Sequence, residues 1–396
     1  MKPLLHLEEP APVPARRFAL FDLGFRPFYL LAAVFAALSI PLWALQFSGW
    51  LKQPYLAGPL WHAHEMLFGF TLAVIVGFLF TAGRNWANQP TPTGWGLAAL
   101  AALWLAARLL VLTPFAVAAA AANIAFPLAA AVALAIPFIK SRNQRNYFFV
   151  GLLALLALAS AVIHLSQLGW LALPPGRGVQ VALDVVLFIL SVMGGRVIPM
   201  FTNNGVPGAA ASRRPWVEKA ALGSVLALIV LDALGVDGAP LAVVAALAAA
   251  AHAARWALWQ PWTTLRVPLV WVLHLAYLWV PLHLGLRVAG VLKLAAPSLA
   301  VHALTVGAVG GMVIGMMTRT ARGHTARPLR ADGFEVTCYV LVALAALVRV
   351  GGPLLAPSQL VGAVLVSAVL WSAGFGLYAV RYWPILSRPR LDGRPG

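Results

Sequence analysis

The chain is 396 residues long, 62% hydrophobic and only 10% charged, with a mean hydropathy of +0.87, which excludes a soluble globular domain and leaves an integral membrane protein. The net charge of +17 does not signal a nucleic-acid partner, because the basic residues sit in short segments between apolar spans and form no stripe. A single cysteine, Cys338, excludes an internal disulfide and any thiolate cluster.

Residues 1–23 hold prolines, paired acids and paired arginines but no apolar core of a cleaved signal. They are expected to be a cytoplasmic segment, with the first helix serving as insertion signal. Apolar stretches of about 18 residues or more then mark roughly twelve spans. In chain order these are 28–47, 60–82, 94–112, 114–139, 147–169, 179–201, 216–235, 239–259, 267–289, 298–320, 334–350 and 357–382. The expected fold is all-α: one polytopic transmembrane domain over 24–383, built as a three-fold repeat of four-helix arcs, with a cytoplasmic tail at 384–396. Orientation follows from the positive-inside rule. With the N-terminus inside, the outer segments hold only Lys52, Arg108, Arg177, Arg287, Lys293 and Arg349, and most basic residues are cytoplasmic, as are both termini.

Two spans read as copies. His64 is followed by Gly69, Gly77 and Arg84, and at the same intervals His302 is followed by Gly307, Gly315 and Arg322. Midway, Leu183 and Asp184 enter a third span, giving a period of about 119 residues. At 100° per residue the glycines lie on the far side of each helix from its histidine, so each helix should press glycine on a neighbour and present histidine elsewhere. His62 shares a face with Glu65, Met66 and Gly69, which gives the WHAHE segment ligands on two sides.

The orientation sets five histidines, His62, His64, His164, His283 and His302, in one layer toward the outer face with Glu65 and Asp184. Ionisable groups at such depth are candidate functional residues, and neutral imidazole is a common ligand of haem iron and copper. One expectation is that His64 and His302 ligate a single haem from opposite sides, with His62 as substitute for His64. Another is a second metal site among His62, Glu65, His164 and His283. Asp184 is either a structural partner or a group for proton delivery or ligand orientation. His252 and His274, nearer the inner half, read as packing residues, and His6 as solvated. At the inner helix ends Arg84, Arg196, Asn203, Asn204, Arg319, Arg322 and His324 read as snorkelling groups and caps, the alternative being a cytoplasmic ligand or proton entry.

DLGFRPF at 22–28, WHAHEMLFGF at 61–70, GGRVIPMFTNN at 194–204 and HALTVGAVGGMVIGMMTRTARGHT at 302–325 together resemble the NnrS family of bacterial inner-membrane proteins. The match runs in order over nearly the whole chain and departs from the pattern at Ala87 and Asn88, where Thr-Gly is expected. The resemblance implies a multi-pass protein holding haem and copper in the bacterial inner membrane. It also implies a role in nitric oxide metabolism or resistance to nitrosative stress, often beside denitrification, with nitric oxide as small ligand. It identifies neither catalytic residues nor an electron donor. A looser likeness joins the twelve-helix plan to the haem-copper oxidases, although span six lacks a histidine and no paired histidines start span seven. Alternatives to a haem protein of nitric oxide metabolism are a secondary transporter of the twelve-helix type and a non-catalytic haem or metal sensing or assembly factor.

Overall fold

The computed structural model describes residues 17–51, 55–56 and 58–394; His6 and Lys52 lie outside them. The described residues form twelve helices and no strand. They are α1 Phe25–Phe47, α2 Gly58–Ala87, α3 Gly94–Leu110, α4 Ala116–Lys140, α5 Tyr147–Gln167, α6 Pro175–Gly205, α7 Pro215–Leu234, α8 Ala239–Leu258, α9 Pro268–Val291, α10 Pro297–His324, α11 Gly333–Leu355 and α12 Leu360–Ser387. Each span read from the sequence falls on one helix. Ten of them are long and apolar enough to cross a membrane. The other two depart for physical reasons. Helix α3 has 17 residues and so, at about 1.5 Å rise each, falls short of a hydrocarbon core of about 30 Å. Helix α7 carries Glu218, Lys219 and Asp232.

Packing runs in chain order within three groups of four, α11–α12–α1–α2, α3–α4–α5–α6 and α7–α8–α9–α10. The last helix of each group is the innermost. The apolar windows of α2, α6 and α10 are 89%, 83% and 67% buried, more than any other span. At one end of the bundle the two terminal segments meet: the Ala19 N–H donates to the Ser387 carbonyl at 2.8 Å, and the buried Arg26 guanidinium donates to the carbonyls of Leu386 and Arg388. Both described ends of the chain therefore lie on the same side.

The glycine spacing works as anticipated. A Cβ at Gly69 would come within 2.4 Å of Phe35, and one at Gly77 within 2.9 Å of Phe28, both on α1. Gly307 stands in the same relation to Trp279, and Gly315 to Val272, both on α9. Each inner helix thus lies in close contact with the helix before it, where only glycine fits. Both helices also widen at the same place. Residues Glu65–Thr71 of α2 and Ala303–Gly310 of α10 are π-helical, whereas α6 is α-helical throughout. Each wide segment starts at the residue after the repeated histidine. Such segments concentrate at functional sites because they loosen the carbonyl ladder; here the Gly69 carbonyl accepts the Trp104 indole N–H at 3.0 Å.

Candidate functional site

At the end opposite the termini, a cavity of about 590 Å³ opens between α1, α2, α6, α10, α11 and α12, within the usual size range of small-molecule sites. Its wall is largely apolar, with Ile40, Leu67, Val179, Leu183 and Val306 among the lining residues. His62 and His302 both line it. Their rings are nearly parallel, 14° apart, with centres separated by 6.3 Å, and His62 also stacks on Trp43 at 5.0 Å and 19°. The His302 Nδ1–H donates to the Ser298 carbonyl, one turn back in the helix, at 2.6 Å. A carbonyl only accepts, so Nδ1 carries the proton and Nε2 keeps its lone pair. That Nε2, like both nitrogens of His62, makes no hydrogen bond among the described residues.

His64 is not in this cavity. It lies about 200° further round the helix from His62, fully buried, and its Nε2 meets the Nε2 of His164 on α5 at 3.0 Å. The protons in this group can be assigned in sequence. Arg108 on α3 donates to the Glu65 carboxylate at 2.6 Å, and Glu65 accepts the His64 Nδ1–H at 2.8 Å. His64 Nε2 must then accept from His164 Nε2–H, which leaves His164 Nδ1 to accept the Tyr55 hydroxyl at 2.9 Å. Arg108 also donates to Asn123. Tyr55, His164, His64, Glu65, Arg108 and Asn123 form one buried relay of consecutive hydrogen bonds, in which the Arg108 Nε–H is left without a partner. Buried polar groups satisfied to this degree rigidify what carries them, here the start of the π-helical segment of α2.

The four residues expected to share a metal do not converge. His62 faces the cavity, Glu65 and His164 belong to the relay, and His283 on α9 donates Nδ1–H to the Ala300 carbonyl at 2.7 Å, its Nε2 buried without a partner. Among the described residues no three His, Cys, Asp or Glu side chains are gathered to hold a metal ion. The expectation that Glu65 shares a face with His62 is corrected as well: Met66 lines the cavity and Glu65 does not, since Glu65 opens the wider turn and is drawn to Arg108. Asp184 accepts from Arg287 on α9 at 2.8 Å, and Arg287 also donates to Asp232 on α7 at 2.6 Å.

Among the remaining histidines, His252 pairs with the Tyr277 hydroxyl at 2.7 Å and His274 with Thr202 at 2.8 Å. At the inner end, Arg196 donates to Asn146 and lies over Phe149, Asn203 bonds both backbone groups of Ala211, and Arg319 lies 3.7 Å over Phe201. Arg322 pairs with Glu335 at 2.5 Å and His324 packs on Phe25. Arg84 is half-buried and Asn204 exposed. Arg196, Arg319, Arg322 and His324 thus find their partners on other elements of the bundle. Outside the membrane, Arg390 donates to the His324 carbonyl and binds Asp392 through two nitrogens, which holds that carboxyl down at about 2.

Three arginines assigned to outer segments turn out to be interior: Arg108 is the cation of the relay, Arg287 on α9 joins Asp184 and Asp232, and Arg349 on α11 lines the cavity. The signal was available, since all three fall within apolar spans (94–112, 267–289 and 334–350), where an arginine is costly.

Fold and cavity define a class: a multi-pass helical membrane protein with two imidazoles on one cavity near one end of its bundle. The sequence model of the NnrS family, described as NnrS protein, matches residues 19–390, and the chain belongs to that family. No curated protein matches it.

Proposed function

We propose that this protein is a haem protein of the bacterial inner membrane that binds nitric oxide, with His62 and His302 holding the iron. The observation that carries the reading is the separation of the two rings. Two metal–imidazole bonds of about 2 Å, extended to the ring centres, span about 6 Å, a separation that the two ring centres match at 6.3 Å; because the rings are stacked, a turn about the side-chain bonds would bring their nitrogens onto the metal. The residues present therefore fit the group. Haem iron held there supplies a redox-active centre for a small neutral ligand, and nitric oxide dissolves in lipid well enough to arrive laterally.

The two histidines are not equivalent. Ser298 holds the His302 ring and raises its basicity, as outer partners of metal-bound imidazoles do. His62 has only the Trp43 stack and the cavity wall, so of the two it would hold the iron less firmly. Copper fits less well. Among the described residues the only place that brings two further imidazole nitrogens together is His64 and His164, where a metal would take the position of the shared proton.

Purified protein expressed with haem supply tests the reading. A Soret band with reducible α/β bands is expected, abolished by His302→Ala and converted to a five-coordinate spectrum by His62→Ala, with His252→Ala unchanged. Absence of any chromophore would favour the transporter alternative. Haem without nitric oxide binding would leave a sensing or assembly role.

A further inference from the structure

We infer that Arg349 anchors an acidic group of the cavity's ligand, which on the haem reading above is a haem carboxylate. Arg349 lies in α11 on the same cavity as His62 and His302, and its Nη1 is buried with no hydrogen-bond partner. Three other arginines of the bundle each have a carboxylate: Arg108 has Glu65 at 2.6 Å, Arg255 has Glu218 at 2.7 Å, and Arg287 has Asp184 at 2.8 Å and Asp232 at 2.6 Å. Arg349 has no carboxylate within salt-bridge distance among the described residues, and no carboxylate lines the cavity. A guanidinium inside a membrane span is retained at a cost that only a partner offsets.

The missing anion must then arrive with the ligand. The wall restricts it further, because a largely apolar cavity of about 590 Å³ selects a large, mainly apolar molecule with its charge at one edge. A porphyrin with carboxylate side chains meets both conditions. The planar fork of arginine matches a carboxylate with two parallel hydrogen bonds, and lysine does not reproduce it. Arg349 would thus fix the edge of the macrocycle while the imidazoles fix its centre. Its positive charge also favours the reduced iron.

The test compares haem with haem dimethyl ester, whose carboxylates are blocked, in the full-length protein and in Arg349→Gln and Arg349→Lys. Loss to a haem-scavenging apoprotein and the reduction potential are measured. The unmutated protein should lose the diester roughly tenfold faster than haem or more, the factor that one charge-assisted hydrogen bond supplies. Arg349→Gln should lose both at the fast rate and show a lower potential, while Arg349→Lys should keep the potential better than the retention. Equal retention of haem and diester by the unmutated protein overturns the inference, whether or not the variants fold, and assigns Arg349 to some other anion such as a lipid acid. So does an Arg349→Gln protein that still discriminates between them. An unmutated protein that takes up neither porphyrin removes the haem reading itself, and this inference with it.

Discussion

Replacing Arg108 with methionine removes the only cation from the buried relay. Glu65 and Arg108 have side chains 2% and 5% exposed and stand 2.6 Å apart, so the deletion leaves a carboxylate held by one N–H of His64 in an apolar interior. Removing one partner of such a pair costs about 3–5 kcal/mol. Methionine has similar length and refills much of the volume, which limits the cavity contribution. Pairing it with Glu65→Gln separates charge from packing, because the glutamine carbonyl still accepts from His64 while no charge remains to desolvate. The double variant should recover most of the loss. What remains is the orphaned Asn123 carbonyl, worth about 1–3 kcal/mol. Equilibrium unfolding of the four proteins in bicelles gives the coupling directly. An Arg108→Met protein within about 1 kcal/mol of the parent, or a double variant no more stable than Arg108→Met, would refute the assignment of Glu65 as an ionised acceptor.

Gly307→Leu should destabilise by about 1–3 kcal/mol or more, since its Cβ would lie 2.3 Å from Trp279, whereas Gly96→Leu on α3, with nothing within 4 Å, should be near neutral in the same thermal assay. Asp184 and Asp232 share one guanidinium, and Asp184 Oδ2 is buried without a partner. Asp184→Asn should therefore be tolerated, while Arg287→Met should cost about 3–5 kcal/mol; equal effects in chemical unfolding would count against a surplus buried charge. Asp332 caps α11 in a reciprocal box with Glu335, so Asp332→Ala should lower stability by about 1 kcal/mol, checked by calorimetry. Reporter fusions after Gln89, Asn143, Pro207 and Thr325 should read cytoplasmic, and those after Gly176 and Lys293 periplasmic. An inversion downstream of any one helix would mean that helix does not cross.

The helices and their order were legible because membrane insertion writes length and apolarity directly into the sequence. The contact faces of α2 and α10 were legible for a different reason: glycine at the Gly69/Gly307 and Gly77/Gly315 positions marks where backbones touch. The π-helical segments were not legible. Nothing in EMLFGFT or ALTVGAVG distinguishes a wide turn from an ordinary one, because the choice depends on outside groups such as Trp104 that take up the freed carbonyl. Arg108, Arg287 and Arg349 were counted by loop charge when their depth within a span was the better guide.

The repeat itself explains why His64 does not face His302. Copies related by rotation about a central axis carry equivalent side chains in the same sense around it, so each points toward the next arc and away from the previous one. The contacts follow that rule. His64 on α2 meets His164 in the second arc and His302 on α10 approaches His62 back in the first, while the middle copy carries Leu183 at the equivalent position. Two equivalent histidines therefore face different partners, and closing a pair across one cavity requires a residue from the other side of one copy. His62, two positions before His64, supplies it. The doubled histidine of WHAHE is then needed once for each side of α2, one ring for the relay that holds the helix and one for the cavity it borders.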